Sequence, residues 1–212
     1  MLDLSHYRLA EPVNDQGQLT GKARQIDPPD TQTWLSPYFR TSQVDDTITF
    51  TCPDGGAATA TAHYARSELR DLREWTIHDH TVDIVTLSVD KLGEGQKVVV
   101  QQIHDADEPW VKIAYTHKST GGLLRALIKI RDGADDTVVN LLHGLNLGDK
   151  ITVKIEHVPA SGIHCEHLKI TANGTYTNTA MHRTGKTKAY YKRGNYYQCN
   201  DRKGAICIVT HH

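Results

Sequence analysis

From Ile48 onward the chain runs in short segments whose apolar and polar residues alternate, each closed within a few residues by Gly, Asp, Asn or Pro. A period of two puts successive side chains on opposite faces, so these segments predict half-buried antiparallel strands and leave little helix. The clearest are residues 48–52, 98–104, 110–115, 123–130, 151–158 and 167–171, separated by turn signals such as Pro53-Asp-Gly-Gly56, Gly121-Gly122 and Asn173-Gly174. Residues 67–75 have a helix-compatible composition, but their neighbours argue for strand. Many short strands at this spacing imply an all-β sandwich or jelly roll. In 212 residues this is one domain, 1–212, with the first 45 residues, rich in Pro, Gln, Asp and Thr, expected to wrap it.

Composition then excludes several classes. The formal charge is −1, from 24 Lys and Arg against 25 Asp and Glu, whereas a dedicated nucleic-acid binder normally carries a strongly basic domain. No apolar stretch approaches the roughly 18 residues of a membrane-spanning helix, so neither nucleic acid nor membrane is an expected partner. Met1 to Leu9 has no basic segment followed by an apolar one, so no secretory signal is visible. Cys52, Cys165, Cys199 and Cys207 lack CxxC spacing, which argues against a thiolate zinc site. Buried free thiols are expected, with Cys199 to Cys207 the first choice if one bridge exists. The terminal His211-His212 reads as what an affinity tag leaves behind.

Three segments place polar residues on one parity. Arg66, Glu68 and Arg70 form a charged stripe, with Glu68 placed to hold two guanidiniums. Gln102 and His104 share a face opposite Ile103, and a buried amide and imidazole need hydrogen-bond partners or a wet groove. Tyr190, Lys192, Gly194, Tyr196 and Gln198 share a face that offers aromatic stacking, a cation and a phenol. Around them, Arg183, Lys186, Lys188, Lys192, Arg193, Arg202 and Lys203 face the single acid Asp201, which predicts a concentrated positive patch.

In order and spacing, Arg66-Ser-Glu-Leu-Arg70, Gln102-Ile-His104 and Tyr190-Tyr-Lys-Arg-Gly-Asn-Tyr-Tyr-Gln198 resemble the signature segments of alginate lyases of polysaccharide lyase family 7. Those patterns are R-(S/T)-E-L-R, Q-(I/V)-H and Y-F-K-A-G-x-Y-N-Q. The first two match fully. The third departs at Tyr191, Arg193 and Tyr197, all on the parity opposite Tyr190, Lys192 and Tyr196, so the supporting face should feel the change more than the groove.

The resemblance implies a jelly roll of two antiparallel sheets whose motif strands line a concave groove for alginate, an anionic polysaccharide. It puts Arg66, Gln102, His104 and Tyr196 at catalytic positions. Glu68, Arg70, Tyr190, Lys192 and Gln198 would contact substrate or support it. The C5 proton lies α to a carboxylate, so donors must neutralise that charge before a base removes the proton and an acid meets the departing oxygen. Arg66 and Gln102 suit the first task, His104 and Tyr196 the others. For guluronate His104 is the expected base and Tyr196 the acid, while for mannuronate Tyr196 could serve both roles. Ile103 goes with guluronate or mixed blocks in this family.

The scheme requires no cofactor or metal, and neither His78-Asp-His80 nor His164-Cys-Glu-His167 has a third ligand in view. A monomer acting in a secreted or periplasmic location is expected, because alginate is a large extracellular polymer. Two alternatives remain: a noncatalytic carbohydrate-binding jelly roll, and a lyase for another polyuronate such as glucuronan. A glycoside hydrolase needs a carboxylate pair, and Glu68 is the only carboxylate in the three motif strands.

Overall fold

The structure, a computed structural model, describes residues 3–60, 62–184, 188–199, 201 and 204–212. In chain order its strands begin with β1 (Tyr7–Ala10), β2 (Gln25–Ile26), β3 (Phe39–Ser42), β4 (Thr47–Pro53), β5 (Arg66–Asp71), β6 (Thr81–Lys91), β7 (Lys97–His104) and β8 (Pro109–Thr116). They continue with β9 (Gly122–Ile128), β10 (Thr137–Leu145), β11 (Ile151–Val158), β12 (Glu166–Ala172), β13 (Thr175–Met181), β14 (Tyr190–Tyr197) and β15 (Ile206–His211). A 3-10 turn at Asp30–Gln32 is the one helical element among the described residues.

These strands form two antiparallel sheets, the all-β jelly roll that the alternation and the resemblance predict. One sheet has the order β10-β9-β8-β7-β14-β5-β1-β2, the other β13-β12-β11-β6-β15-β4-β3. The three motif strands are therefore adjacent at the middle of one sheet, β14 between β7 and β5. Their inward parity packs against the other sheet. Ile103, Trp110, Ile113, Leu124 and Ile128 meet Leu87, Val153, Ile155, Leu168 and Ile170 in one apolar layer, and removing that surface from water is the main drive for stacking the sheets. A smaller cluster around Leu9, Phe39, Phe50 and Leu69 closes the other end.

Several expectations change here. The first 45 residues do more than wrap: β1 and β2 finish the edge of one sheet and β3 that of the other. His211 is part of the fold. It is buried in β15 opposite Ile48 and Leu87, with its ring 4.8 Å from Phe50, while the His212 amide donates to the Thr86 carbonyl. All four cysteines are free, and Cys199 approaches Gln96 Nε2 at 3.4 Å rather than pairing with Cys207.

Three of the seven cations of the expected positive patch turn to acids rather than to solvent. Arg183 is buried against Asp105, Glu108 and Asp132, Arg193 turns inward to Asp83 at 2.6 Å, and Lys192 is held by Glu68. Lys188 borders a hollow beside Tyr190, and Lys186, Arg202 and Lys203 lie outside the described residues.

Candidate active site

Alternation along β5 sends Ser67 and Leu69 toward the other sheet and Arg66, Glu68 and Arg70 to the outer face. Ser67 Oγ donates to the Tyr38 carbonyl, and Leu69 is fully buried. On β14 the same rule sends Tyr191, Arg193, Asn195 and Tyr197 inward. Tyr191 meets Thr81, Arg193 meets Asp83, Asn195 Nδ2 donates to the carbonyls of Phe50 and Cys207, and the Tyr197 hydroxyl donates to Gln96. The three departures from the family pattern thus sit on the supporting face. Gly194 lets β14 run close to β5: its φ is +137°, and a Cβ there would stand 2.6 Å from the Ser67 carbonyl oxygen.

On β7 a bulge does what alternation alone would not. Val98 and Val100 face the core, yet so do Gln101, whose Nε2 donates to Asp83 Oδ2, and Ile103. The register against β8 slips between Val99 and Gln101, so two consecutive residues turn inward and the outer face passes to Gln102 and His104.

The outer side chains converge on Glu68. This carboxylate is 3% exposed and accepts from Arg66 Nη1 at 3.0 Å, Lys192 Nζ at 3.0 Å and Gln102 Nε2 at 2.5 Å. Burial pushes its pKa up, but Lys192 and then Arg66 outweigh burial and hold it below the ordinary carboxylate range. Burial lowers the Lys192 ammonium, against the pull of Glu68. Glu68 does not hold Arg70 as the stripe suggested. Arg70 instead pairs with Glu74 at 2.8 Å and lies 3.9 Å above the Tyr190 ring.

His104 is fixed from one side. Its Nδ1 lies 2.5 Å from the Asp105 carbonyl oxygen, which also accepts from the Tyr190 hydroxyl at 3.1 Å, and the two rings stack at 5.8 Å. A carbonyl only accepts, so Nδ1 carries the proton and Nε2 keeps a lone pair. Burial first, and Lys192 second, push the imidazole pKa down to about 4, so the ring is neutral at pH 7. The Asp105 turn is itself braced, its carboxylate accepting from Trp110 Nε1 and the backbone amides of Asp107 and Glu108.

Tyr196 stands at the other end of the constellation. The Arg66 guanidinium lies 4.2 Å from its ring centroid, Tyr64 meets it edge-on at 6.1 Å, and Gln198 hydrogen-bonds to it. Burial raises the phenol's pKa, against the pull of Arg66.

Arg66, Glu68, Arg70, His104, Tyr190 and Lys192 line one cavity of about 220 Å³, with Arg8, Ala10 and Gln25 from the N-terminal strands. Gln102 joins them through Glu68, and Tyr196 through Arg66. Arg8, Ala10 and Gln25 had no local signal in the sequence, because only the pairing of β1 with β5, and of β2 with β1, brings them to the site. Hollows on either side share walls with this cavity, one through Gln25 and one through Arg70 and Tyr190, which makes an elongated groove. No three His, Cys, Asp or Glu side chains converge among the described residues. His80 pairs with Glu156, His167 with Asn178 and Glu166 with the buried His157.

A family model described as alginate lyase matches residues 2–211. No curated protein matches the chain. Among solved structures, an alginate lyase from Pseudomonas aeruginosa superposes with a TM-score of 0.84 at 24% identity, covering 99% of this chain and 96% of that one. A variant of the family 7 alginate lyase A1-II′, in complex with product (GGG), gives 0.83 at 24% identity over 100% and 94%. The polysaccharide lyase family 7 alginate lyase AlgAT5 gives 0.74 at 27% identity over 99% and 92%.

Proposed function

The chain belongs to the alginate lyase family and is a polysaccharide lyase, and from that premise we propose that it cleaves the 1,4-glycosidic bonds of guluronate-containing alginate by β-elimination. The observation that carries this reading is the pairing of a neutral, oriented His104 with a protonated Tyr196 on either side of Arg66 and the Glu68 network.

The substrate carboxylate is met by the Arg66 guanidinium and the second N–H of the Gln102 amide, the first being committed to Glu68. With that charge neutralised, His104 Nε2 takes the C5 proton. The C5 electron pair forms the C4=C5 double bond as the C4–O bond breaks, and the Tyr196 hydroxyl gives its proton to the departing oxygen. The raised phenol pKa favours the acid role over the base role. A base and an acid on different groups suit guluronate, where proton and leaving oxygen lie on opposite faces. Alginate is too large to cross a cell membrane, so the proposed place of action is secreted or periplasmic, and assaying activity in culture medium and cell fractions tests it.

The test is ultraviolet absorbance with time on guluronate-rich and on mannuronate-rich alginate, because elimination leaves a conjugated double bond and hydrolysis does not. Absorbance should rise on both and faster on the first. A flat trace on both, with binding retained, would move the reading to a carbohydrate-binding jelly roll, and preferred turnover of glucuronan would move the substrate.

A pH profile tests the base. Protonation removes the Nε2 lone pair, and the lowered His104 pKa delays that event. kcat/KM is therefore expected to stay level from about pH 7 to about pH 5 and to fall near pH 4. An acid limb at the ordinary histidine value of about 6.5 would contradict it.

A further inference from the structure

His104 ends β7 at an irregular place in the sheet. The register against β8 slips a second time between Ile103 and His104, and the residue opposite the histidine is Pro109, whose nitrogen carries no hydrogen. The imidazole is anchored instead by the turn that follows, residues 105–108. That turn exposes Ala106 and Asp107 to solvent and closes through the Asp105 amide onto the Glu108 carbonyl at 3.1 Å. An exposed turn holds its place only as well as its anchors do. Here a single carbonyl, that of Asp105, meets both His104 Nδ1 and the Tyr190 hydroxyl.

Arg183 holds this turn from outside. It follows β13, the edge strand of the other sheet, and its buried guanidinium lies 4.7 Å from the Trp110 ring centroid. Its Nη2 meets Asp105 Oδ2 at 3.4 Å, Glu108 Oε1 at 3.0 Å and Asp132 Oδ1 at 3.0 Å. Asp105 and Glu108 are the two ends of the turn, and Asp132 belongs to the connection from β9 to β10. The neighbours of Arg183 clamp that connection as well. The His182 amide donates to the Ile130 carbonyl at 2.7 Å, and the Thr184 amide and hydroxyl donate to Asp132 Oδ2. The Gly133 amide donates in turn to Glu108 Oε1 at 2.9 Å. A buried ion cluster gains little stability over apolar packing of the same volume. Among the described residues Nε and Nη1 of Arg183 have no hydrogen-bond partner, so two of its three nitrogens are unmatched while the third gathers three acids. Such an arrangement fixes position more than it adds stability.

We propose that Arg183 is a positioning residue for the reaction: by tying both ends of the turn 105–108 to the end of β13, it holds the Asp105 carbonyl where that carbonyl selects the His104 tautomer with a free Nε2 lone pair. The proposal rests on the lyase reading for the task of His104 and adds what keeps the ring ready for it. A neutral imidazole carries its proton on either nitrogen, and the partner at one nitrogen decides which. Once the turn loosens, the proton divides between Nδ1 and Nε2, and a ring protonated on Nε2 cannot take the C5 proton. Arg183 does not line the cavity, so its loss should slow turnover and leave polymer binding intact.

The experiment compares the parent with Arg183→Lys and Arg183→Gln, reading kcat and KM on alginate, the melting temperature, and the nitrogen-15 chemical shifts of the His104 ring at pH 7. Lys192 and Tyr190 from β14, Glu68 from β5 and Asp105 face that ring, and none of them is altered. The parent should show one tautomer, protonated on Nδ1. Displacing a reacting group by about 1 Å can cost 10²-fold, so Arg183→Gln should lose about tenfold in kcat, with KM within about twofold and a mixture of tautomers. Arg183→Lys keeps the charge but offers one ammonium to three acids, and should fall between the two in both readouts. An unchanged kcat in Arg183→Gln, or in Arg183→Lys if the first variant does not fold, would overturn the proposal. So would a loss confined to KM, or a fall in kcat that tracks the melting temperature while the ring stays wholly protonated on Nδ1. If the parent released no unsaturated product, the lyase reading itself would fail, and the ring shifts would still decide the role of Arg183: identical shifts in parent and variants would refute it.

Discussion

Tyr196→Phe should lower the rate of ultraviolet-absorbing product formation by roughly 10²- to 10⁴-fold, the usual range for a lost general acid. The phenyl ring keeps the cation–π contact with Arg66 and the edge contact with Tyr64, so the pocket should hold its shape. Only the O–H is removed. The leaving oxygen would then depart as an alkoxide or wait for water. Affinity for alginate, measured by calorimetry on the inactive variant, should stay within a few-fold of the parent's. Product formation within about threefold of the parent's would remove Tyr196 from the acid role, since it would fall below the effect expected of any general acid. Loss of binding in parallel with turnover would make the tyrosine a binding residue instead.

Glu68→Ala should be the most damaging change to stability in the site. It leaves Arg66 and Lys192 buried side by side without their shared carboxylate, and breaking a buried pair in this way costs about 3–5 kcal/mol. In a domain of this size each kcal/mol moves the melting temperature by about 2–4 °C, so a fall of roughly 6–20 °C is expected at pH 7. The sign of the pH dependence distinguishes this cause from a simple cavity. Lys192 is already lowered by burial, and Glu68 is what raises it. Without Glu68 its folded pKa drops further below the unfolded one, so the variant should regain stability as pH rises and the unfolded chain also gives up the proton. A melting temperature within about 2 °C of the parent's, or a deficit that does not shrink between pH 7 and pH 9, would show that Glu68 does not carry the charge balance.

The strands and the grouping of the motif residues were legible because a period of two is a local property. Arg66, Glu68 and Arg70 show their common face within five residues, and so do Gln102 and His104. What a sequence window cannot show is direction after folding. Arg183, Lys192 and Arg193 are close in sequence and suggested a patch, yet each turns to a different acid on a different element. Arg70 looked like the natural second partner of Glu68, and Lys192 takes that place because β14 pairs directly alongside β5. His211 was set aside for its terminal position, although Ile206 to His211 alternates as the inner strands do.

The slip in β7 gives that strand two phases. Before it, even-numbered residues belong to the interior; after it, odd-numbered ones do. The chemistry of His104 therefore depends on a counting change a few residues upstream at positions that touch no substrate. Removing the extra residue would leave every catalytic side chain present in the sequence and turn the imidazole into the apolar layer. In this strand, catalytic competence is a matter of frame as well as of residue identity, much as meaning is in a reading frame.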